Sequence, residues 1–333
     1  MASGDRATAC DVACLRPRED FVKVDVTPPA SLSVVYLSPD DSKLRARVHH
    51  ARALLIPAVG PALPAEIFAG SRIELVQVTG AGIDRLDAQA MTAQGVAVAN
   101  VPGGSSTAIA EYAVSTALSL LRRTFWANGE LQQGNYDDAR SRMVAGNLAG
   151  LEGLTVGVVG FGVIGMAVAQ VFHGMGSRIV FHDPAPRDRQ LVDRLHAVAL
   201  PLAELLESAD IVSLHVPLLP DTRSMIGERE FALMKSSAIL INAARGGIVD
   251  EAALAASLAS GRIGGAAVDV YAAEPPAADN PLFSLENEAR SRLILSPHIA
   301  GVTRQSWAFL FRSAWQNVER VLLKGEPPTN RVI

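Results

Sequence analysis

Three side chains in the C-terminal third of the chain could together move a proton beside a bound anion. Arg245 lies in Asn242-Ala-Ala-Arg-Gly-Gly247, Glu274 in Ala272-Ala-Glu-Pro-Pro276, and His298 in Ser296-Pro-His298. A guanidinium can grip a carboxylate through two parallel hydrogen bonds, and an imidazole titrates near neutrality. A carboxylate within hydrogen-bond reach of that imidazole fixes its tautomer and favours the protonated form that donates to a ketone. Taken singly, each residue has a plainer reading: a surface ion-pair partner, an exposed acid before a proline turn, a loop histidine. Of the seven histidines, His49 and His50 fall on a solvated helix, and His173 and His196 read as structural or exposed. His182 adjoins Asp183, and His215 precedes Pro217 in a loop that reads as lining a cofactor. His298 is the remaining candidate for acid–base work.

A second constellation concerns a phosphate. Gly160-Phe161-Gly162-Val163-Ile164-Gly165 is a G-x-G-x-x-G turn, weak in isolation but here preceded by an apolar strand and followed by a helix. In that setting the first glycine permits the tight turn, the second lets a pyrophosphate approach, and the third lets helix pack on sheet, with the anion at the helix N-terminus. Asp183 stands eighteen residues past Gly165, where a carboxylate can hydrogen-bond the adenosine ribose and repel a 2′-phosphate. NAD is therefore expected in preference to NADP, although Arg187 and Arg189 stand close enough to soften that preference.

These groups need a scaffold. From Leu154 onward, six short apolar runs alternate with helix-like segments: Leu154–Val159, Arg178–His182, Ile211–His215, Ala238–Asn242, Gly265–Val270 and Leu293–Ser296. Continuous rather than alternating apolar runs indicate parallel strands covered on both faces. The expected fold class is α/β, a doubly wound parallel sheet of the Rossmann kind with a second, smaller flavodoxin-like α/β domain. In such a sheet ligands sit beyond the carboxyl ends of the strands, where Arg245, Glu274 and His298 all fall. Upstream, Ser31–Leu37, Ala53–Pro57 and Leu75–Val78 read as strands and Lys43–His50 as a helix, with a further strand near Cys10–Leu15 whose connection to Ser31 looks short for a crossover. Ser106 to Leu121 reads as a helix linking two domains, and Thr303 to Leu323 as a helix returning to the first. The expected division is residues 1–104 with 300–333 against residues 105–299, and the less regular Phe125 to Gly150 stretch reads as an arm or dimer contact.

Composition narrows the function classes. With 333 residues, 49% of them apolar and 19% charged, the chain fits two well-buried domains. A net charge of −4 argues against nucleic acid or an acidic membrane surface as partner. The two cysteines, Cys10 and Cys14, cannot complete a zinc site, and no metal is expected. Asp5, Arg6, Asp11, Arg16 and Arg18 interrupt any apolar block a secretory signal would need, so a cytoplasmic location is the expectation. Gly153 to Ser177 carries no charge, but its seven glycines suit a strand, turn and helix better than a membrane span.

Several of these motifs recur together in one family. Gly80-Ala-Gly82-Ile-Asp84, Asn100-Val-Pro-Gly-Gly, Ala110-Glu111, the Gly160 turn, Asn242-Ala-Ala-Arg245-Gly-Gly, Val268-Asp269-Val270, Glu274-Pro-Pro and Ser296-Pro-His298-Ile-Ala-Gly301 resemble the D-isomer-specific 2-hydroxyacid dehydrogenases, from about Leu75 to the C-terminus. The resemblance implies a hydride transfer between nicotinamide and a small 2-keto or 2-hydroxy acid. It implies that Arg245 binds the substrate carboxylate and carbonyl, that Glu274 pairs with His298, and that His298 is acid in reduction and base in oxidation. Substrate contacts are implied at Gly80, Ala81, Gly82, Arg245 and His298. Cofactor contacts are implied at Gly160, Gly162, Val163, Ile164, Gly165, Asp183, His215, Pro217, Thr222, Asn242, Ala243 and His298, with Asp269 on the nicotinamide carboxamide, and a homodimer through the NAD-binding domain. Ser105 departs from the asparagine frequent there. Leu54–Gly60 carries no cation, where the resemblance implies arginine in members acting on 3-phosphoglycerate, so a neutral tail is expected. Formate dehydrogenases are expected to carry glutamine where this chain has Glu274. An alternative from another class is an NAD(H)-sensing binding protein like the C-terminal-binding-protein corepressors, with little turnover.

Overall fold

The computed structural model describes residues 10–333 apart from Pro186 and Asp188; Asp5 and Arg6 of the signal-sequence argument lie outside the described residues. The chain forms two compact units, one from the described residues up to Ser105 with Val302–Ile333, the other Ser106–Gly301. The first holds five parallel strands, β1 (Val12–Cys14), β2 (Val34–Tyr36), β3 (Ala53–Ile56), β4 (Leu75–Val78) and β5 (Ala97–Ala99), in the order β2-β1-β3-β4-β5. That is the flavodoxin-like order. Strands β1, β3 and β4 are buried at every position, which explains their unbroken apolar character. The connection from β1 to β2 is as short as its sequence suggests, a five-residue helix, Arg18–Val22, and an irregular run. It suffices because Phe21, Val24, Val26 and Leu32 seat it on the core.

The helix Arg304–Lys324 also belongs to this unit. Thr303 caps its start by accepting from Ser306 N, and Gly325, with φ of 64°, ends it in the left-handed conformation glycine tolerates. Phe311, Trp315 and Val318 join the cluster around Phe21, Leu55 and Leu75. Buried Asn317 is satisfied on both ends, donating to Gln77 Oε1 at 2.9 Å and accepting from Thr329 N at 2.9 Å. Cys10 and Cys14 are buried and unbridged, and burial pushes the Cys14 thiol up to about 12, which makes it a poor nucleophile.

The second unit contains seven parallel strands: β6 (Thr155–Val159), β7 (Arg178–His182), β8 (Val198–Ala199), β9 (Ile211–Leu214), β10 (Ile239–Asn242), β11 (Gly265–Val268) and β12 (Leu293–Leu295). Their order is β12-β11-β10-β9-β6-β7-β8, the doubly wound arrangement whose direction reverses between β6 and β9. The expectation of six strands omitted β8, a two-residue edge strand too short to show any period. Ser106–Leu121 is not a free link but part of this unit, burying Ile109, Ala110, Ala113, Val114 and Ala117 in the core it shares with the helix Val163–Gly174. The stretch read as irregular contains two helices, Thr124–Gln132 and Tyr136–Ala145, which bury only Ala139. Gly153–Ser177 is strand, turn and helix, and among the described residues no helix is long and apolar enough to cross a membrane.

Candidate active site

The phosphate-binding turn is built from the end of β6. Gly160 has φ of 89°, and a Cβ there would lie 2.6 Å from His215 O, so backbone conformation and the adjoining chain both require glycine. A Cβ on Gly165 would come 2.0 Å from Gly160 O, which holds helix and turn in direct backbone contact. Gly162 differs: it caps the helix Val163–Gly174 without a side-chain hydrogen bond, and a Cβ there would meet nothing within 4 Å. Protein packing therefore does not require glycine at 162, whereas a pyrophosphate approaching the free N–H groups of that helix does. The turn fits a dinucleotide on this observation.

Asp183 follows β7 and its carboxylate reaches back to the turn, Oδ2 accepting from Phe161 N at 2.6 Å. Burial raises its pKa, but hydrogen bonds from Arg187, Ala185 N and Phe161 N outweigh that and hold it below the ordinary carboxylate value. His215 hydrogen-bonds Ser213 Oγ through Nε2 at 2.8 Å, and desolvation pushes it down to about 4, leaving a neutral ring. Thr222 is engaged within its own loop: its hydroxyl donates to Pro217 O at 2.6 Å and accepts from Leu219 N at 2.7 Å. Asn242, ending β10, accepts from Ala244 N at 3.2 Å and donates to Arg245 O at 3.3 Å, which shapes the loop carrying Ala243 and Arg245.

The structure brings two of the three chemical residues into direct contact. His298 Nδ1 lies 2.8 Å from Glu274 Oε2, with the side chains 26% and 28% exposed, so both reach solvent. Nε2 has no hydrogen-bond partner among the described residues. Glu274 is held in turn by Tyr271 N, which donates to Oε1 at 3.1 Å. Arg245 is half-buried and its Nη1 donates to Ala244 O at 2.7 Å. A Cβ on the next residue, Gly246, would lie 1.8 Å from Tyr271 O, so the arginine loop abuts the segment leading into Glu274.

Asp269, which the resemblance puts on the nicotinamide carboxamide, and several residues outside the sequence-derived set position this pair. Asp269 is 1% exposed and accepts three hydrogen bonds, from Ser296 Oγ at 2.5 Å, Ile299 N at 2.8 Å and Ala300 N at 2.8 Å. Its backbone carbonyl accepts from His298 N at 2.7 Å. Asp269 thus frames the whole turn in which His298 adopts a left-handed φ of 54°, a conformation that needs such support. Tyr112 and Tyr271 extend the frame by hydrogen bonds to Ser296 at 2.8 and 3.0 Å. Glu251, in the first turn of the helix Glu251–Ala259, accepts from Ala272 N at 2.7 Å and Asn280 Nδ2 at 2.6 Å, flanking the Glu274 loop. A carboxylate in first-turn position after a capping aspartate, Asp250, looks like ordinary helix chemistry, so its sequence gave no signal of this use.

Gly80, Ala81 and Gly82 belong to the other unit, after β4. A Cβ on Gly80 would lie 2.8 Å from Ala58 Cβ, and Asn100 Nδ2 donates to Ala81 O at 2.7 Å. The N–H groups of Ala81 and Gly82 have no acceptor among the described residues. The segment after β3, cation-free in sequence, receives a cation from elsewhere: Arg85, 3% exposed, donates to Pro57 O at 3.0 Å and Pro61 O at 2.8 Å. Among the described residues no group of three or more histidines, cysteines or acids could hold a metal.

Comparison with known proteins places this geometry. Residues 114–300 match the model of the D-isomer specific 2-hydroxyacid dehydrogenase NAD binding domain. A D-3-phosphoglycerate dehydrogenase of Archaeoglobus fulgidus is 34% identical over 240 residues, 72% of this chain and 44% of that protein, so this chain spans less than half of that relative's length. A glyoxylate reductase of Korarchaeum cryptofilum is 34% identical over 297 residues, covering 88% of this chain and 86% of that one. Among solved structures, D-lactate dehydrogenase from Aquifex aeolicus complexed with NAD and lactic acid aligns with a TM-score of 0.81 at 26% identity, covering 96% of this chain and 98% of that one. The glycine turn that accommodates a dinucleotide, the Glu274–His298 pair and these matches agree: the chain belongs to the D-isomer specific 2-hydroxyacid dehydrogenase family and carries its NAD-binding domain.

Proposed function

We propose that this protein is an NAD-dependent oxidoreductase interconverting a small D-2-hydroxy acid and its 2-keto acid, with Arg245, Glu274 and His298 as its chemical residues. The observation that carries the reading is the 2.8 Å contact of His298 Nδ1 with Glu274, with Nε2 left for a ligand. Arg245 would hold the substrate carboxylate and orient the carbonyl. His298 would donate its Nε2 proton to the keto oxygen in reduction and take it back in oxidation, while Glu274 stabilises the imidazolium. Nicotinamide, when bound at the Gly160 turn, supplies or accepts the hydride. For Gly80–Gly82 the substrate role rests on the family resemblance, supported by the unengaged N–H groups of Ala81 and Gly82.

The tail of the substrate is proposed to be unphosphorylated. Arg16, two residues after β1, pairs with Asp20 at 2.9 Å, and Arg85 is 3% exposed and donates to Pro57 O and Pro61 O. A phosphate needs accessible charge-assisted donors, and the segment after β3 carries none of its own. Steady-state turnover with NADH across glyoxylate, hydroxypyruvate, short-chain 2-keto acids and 3-phosphohydroxypyruvate tests both statements. Highest kcat/KM is expected with an unphosphorylated acid. Preference for the phosphorylated one overturns the tail assignment, and negligible turnover throughout, alongside tight NADH binding, favours the sensor reading instead.

We further propose a homodimer through the NAD-binding domain, in a protein acting in the cytoplasm. Phe125, Leu131, Tyr136 and Val144 are exposed on the two helices after Leu121. Beside them a cavity of about 490 Å³ is lined by Phe125, Trp126, Leu293 and Leu295, the last two from β12, the outermost strand of its sheet. An apolar edge of this extent fits a covered surface. Sedimentation equilibrium should give twice the 35.1 kDa chain mass, and Phe125→Asp should shift it to the monomer; a monomeric parent chain overturns the proposal.

A further inference from the structure

The carboxylate expected to meet the adenosine ribose is not alone. Besides Phe161 N, Asp183 Oδ2 accepts from Arg187 Nη2 at 2.5 Å, and Oδ1 accepts from Ala185 N at 2.9 Å. The aspartate side chain is 4% exposed and the arginine 28%, so the pair lines the turn rather than projecting from it. Arg187 Nε is buried and has no hydrogen-bond partner among the described residues. A buried donor without an acceptor is costly, and this one stands beside the carboxylate expected to meet the ribose. The unmet group points to a ligand acceptor.

We propose that Arg187, leaning on Asp183, forms a receptor for a 2′-phosphate, so that this chain binds NADPH as well as NADH at one site. The inference rests on the dinucleotide reading of the Gly160 turn. In this fold an acid after the second strand hydrogen-bonds the ribose 2′-hydroxyl and repels a 2′-phosphate, whereas a nearby arginine accommodates it. Here the aspartate's charge is offset by the guanidinium 2.5 Å away, which removes most of the repulsion. The unmet Nε then offers the phosphate a charge-assisted hydrogen bond. NADH is still served, because a carboxylate presents about four lone-pair sites and Asp183 has three of them filled.

Binding measured directly on the full chain tests this without relying on turnover. Fluorescence titration with NADH and NADPH, and calorimetry with 5′-AMP and 2′,5′-ADP as fragments, report the 2′-phosphate alone. The NADPH Kd of the parent chain is expected within about tenfold of that for NADH, and Arg187→Ala to raise it about 10- to 100-fold while NADH moves less than about threefold. Arg187→Lys should fall between, keeping charge but losing the fork. Undetectable NADPH and 2′,5′-ADP binding by the parent chain, or equal weakening of both cofactors in Arg187→Ala, overturns the proposal. If NADH itself does not bind, the dinucleotide reading falls and this inference with it; NADH binding without NADPH binding sinks the inference alone.

Discussion

Replacing His298 with alanine is expected to lower kcat by about 10²- to 10⁴-fold, the range ordinarily lost with a general acid–base group. Among the described residues only Nδ1 of this imidazole is engaged, by Glu274 at 2.8 Å, which orients the ring and leaves Nε2 for a ligand. Removing it takes away the proton donor and leaves Glu274 without its partner. NADH affinity is expected to stay within about threefold, because the Gly160 turn and Asp183 do not touch the ring. The φ of 54° at residue 298 strains alanine, so His298→Asn, whose side chain tolerates that region, controls for backbone effects. Both variants should lose turnover alike while circular dichroism stays unchanged. Unaltered kcat in either would remove His298 from the chemistry.

Arg245→Lys is expected to reduce kcat/KM for the keto acid by about 10- to 100-fold, the worth of a charged hydrogen bond or two. The guanidinium donates to Ala244 O at 2.7 Å, which orients its plane, and a planar fork can meet a carboxylate through two parallel hydrogen bonds. An ammonium carries one point charge and cannot hold its own loop and a planar ligand together. The loss should appear in keto-acid KM and kcat, not in NADH binding. A kcat/KM equal to that of the parent chain would end the clamp assignment.

Much of this was legible before any coordinates. The Gly160 turn announced itself because its requirements are local: a strand end, a left-handed glycine and a helix start occupy consecutive positions. The apolar runs of β6, β7, β9 and β10 stood out because parallel strands are buried on both faces. Where the signal was local but short it failed. β8 has two residues, and the two helices between Thr124 and Ala145 bury almost nothing, so neither leaves a hydrophobic period to read.

Long-range partners were the other blind spot. Asp269 was read through the family as a cofactor contact, and nothing in its neighbourhood along the chain told that its carboxylate also accepts from Ser296, Ile299 and Ala300, about thirty residues away in sequence. Arg85 and Glu251 likewise act on loops to which no spacing rule connects them. By itself the sequence determined the fold class, the glycine turn and which side chains have the chemistry for hydride-linked proton transfer, because residue type and near-neighbour spacing are enough for those. Tertiary structure alone decided that Asp269 frames the histidine turn and that Glu251 holds the loop of Glu274, and it set the distance at which Glu274 meets His298, a pairing the family resemblance implied. Each of these depends on distances between strand ends, which are set by how the sheet stacks and not by separation along the chain.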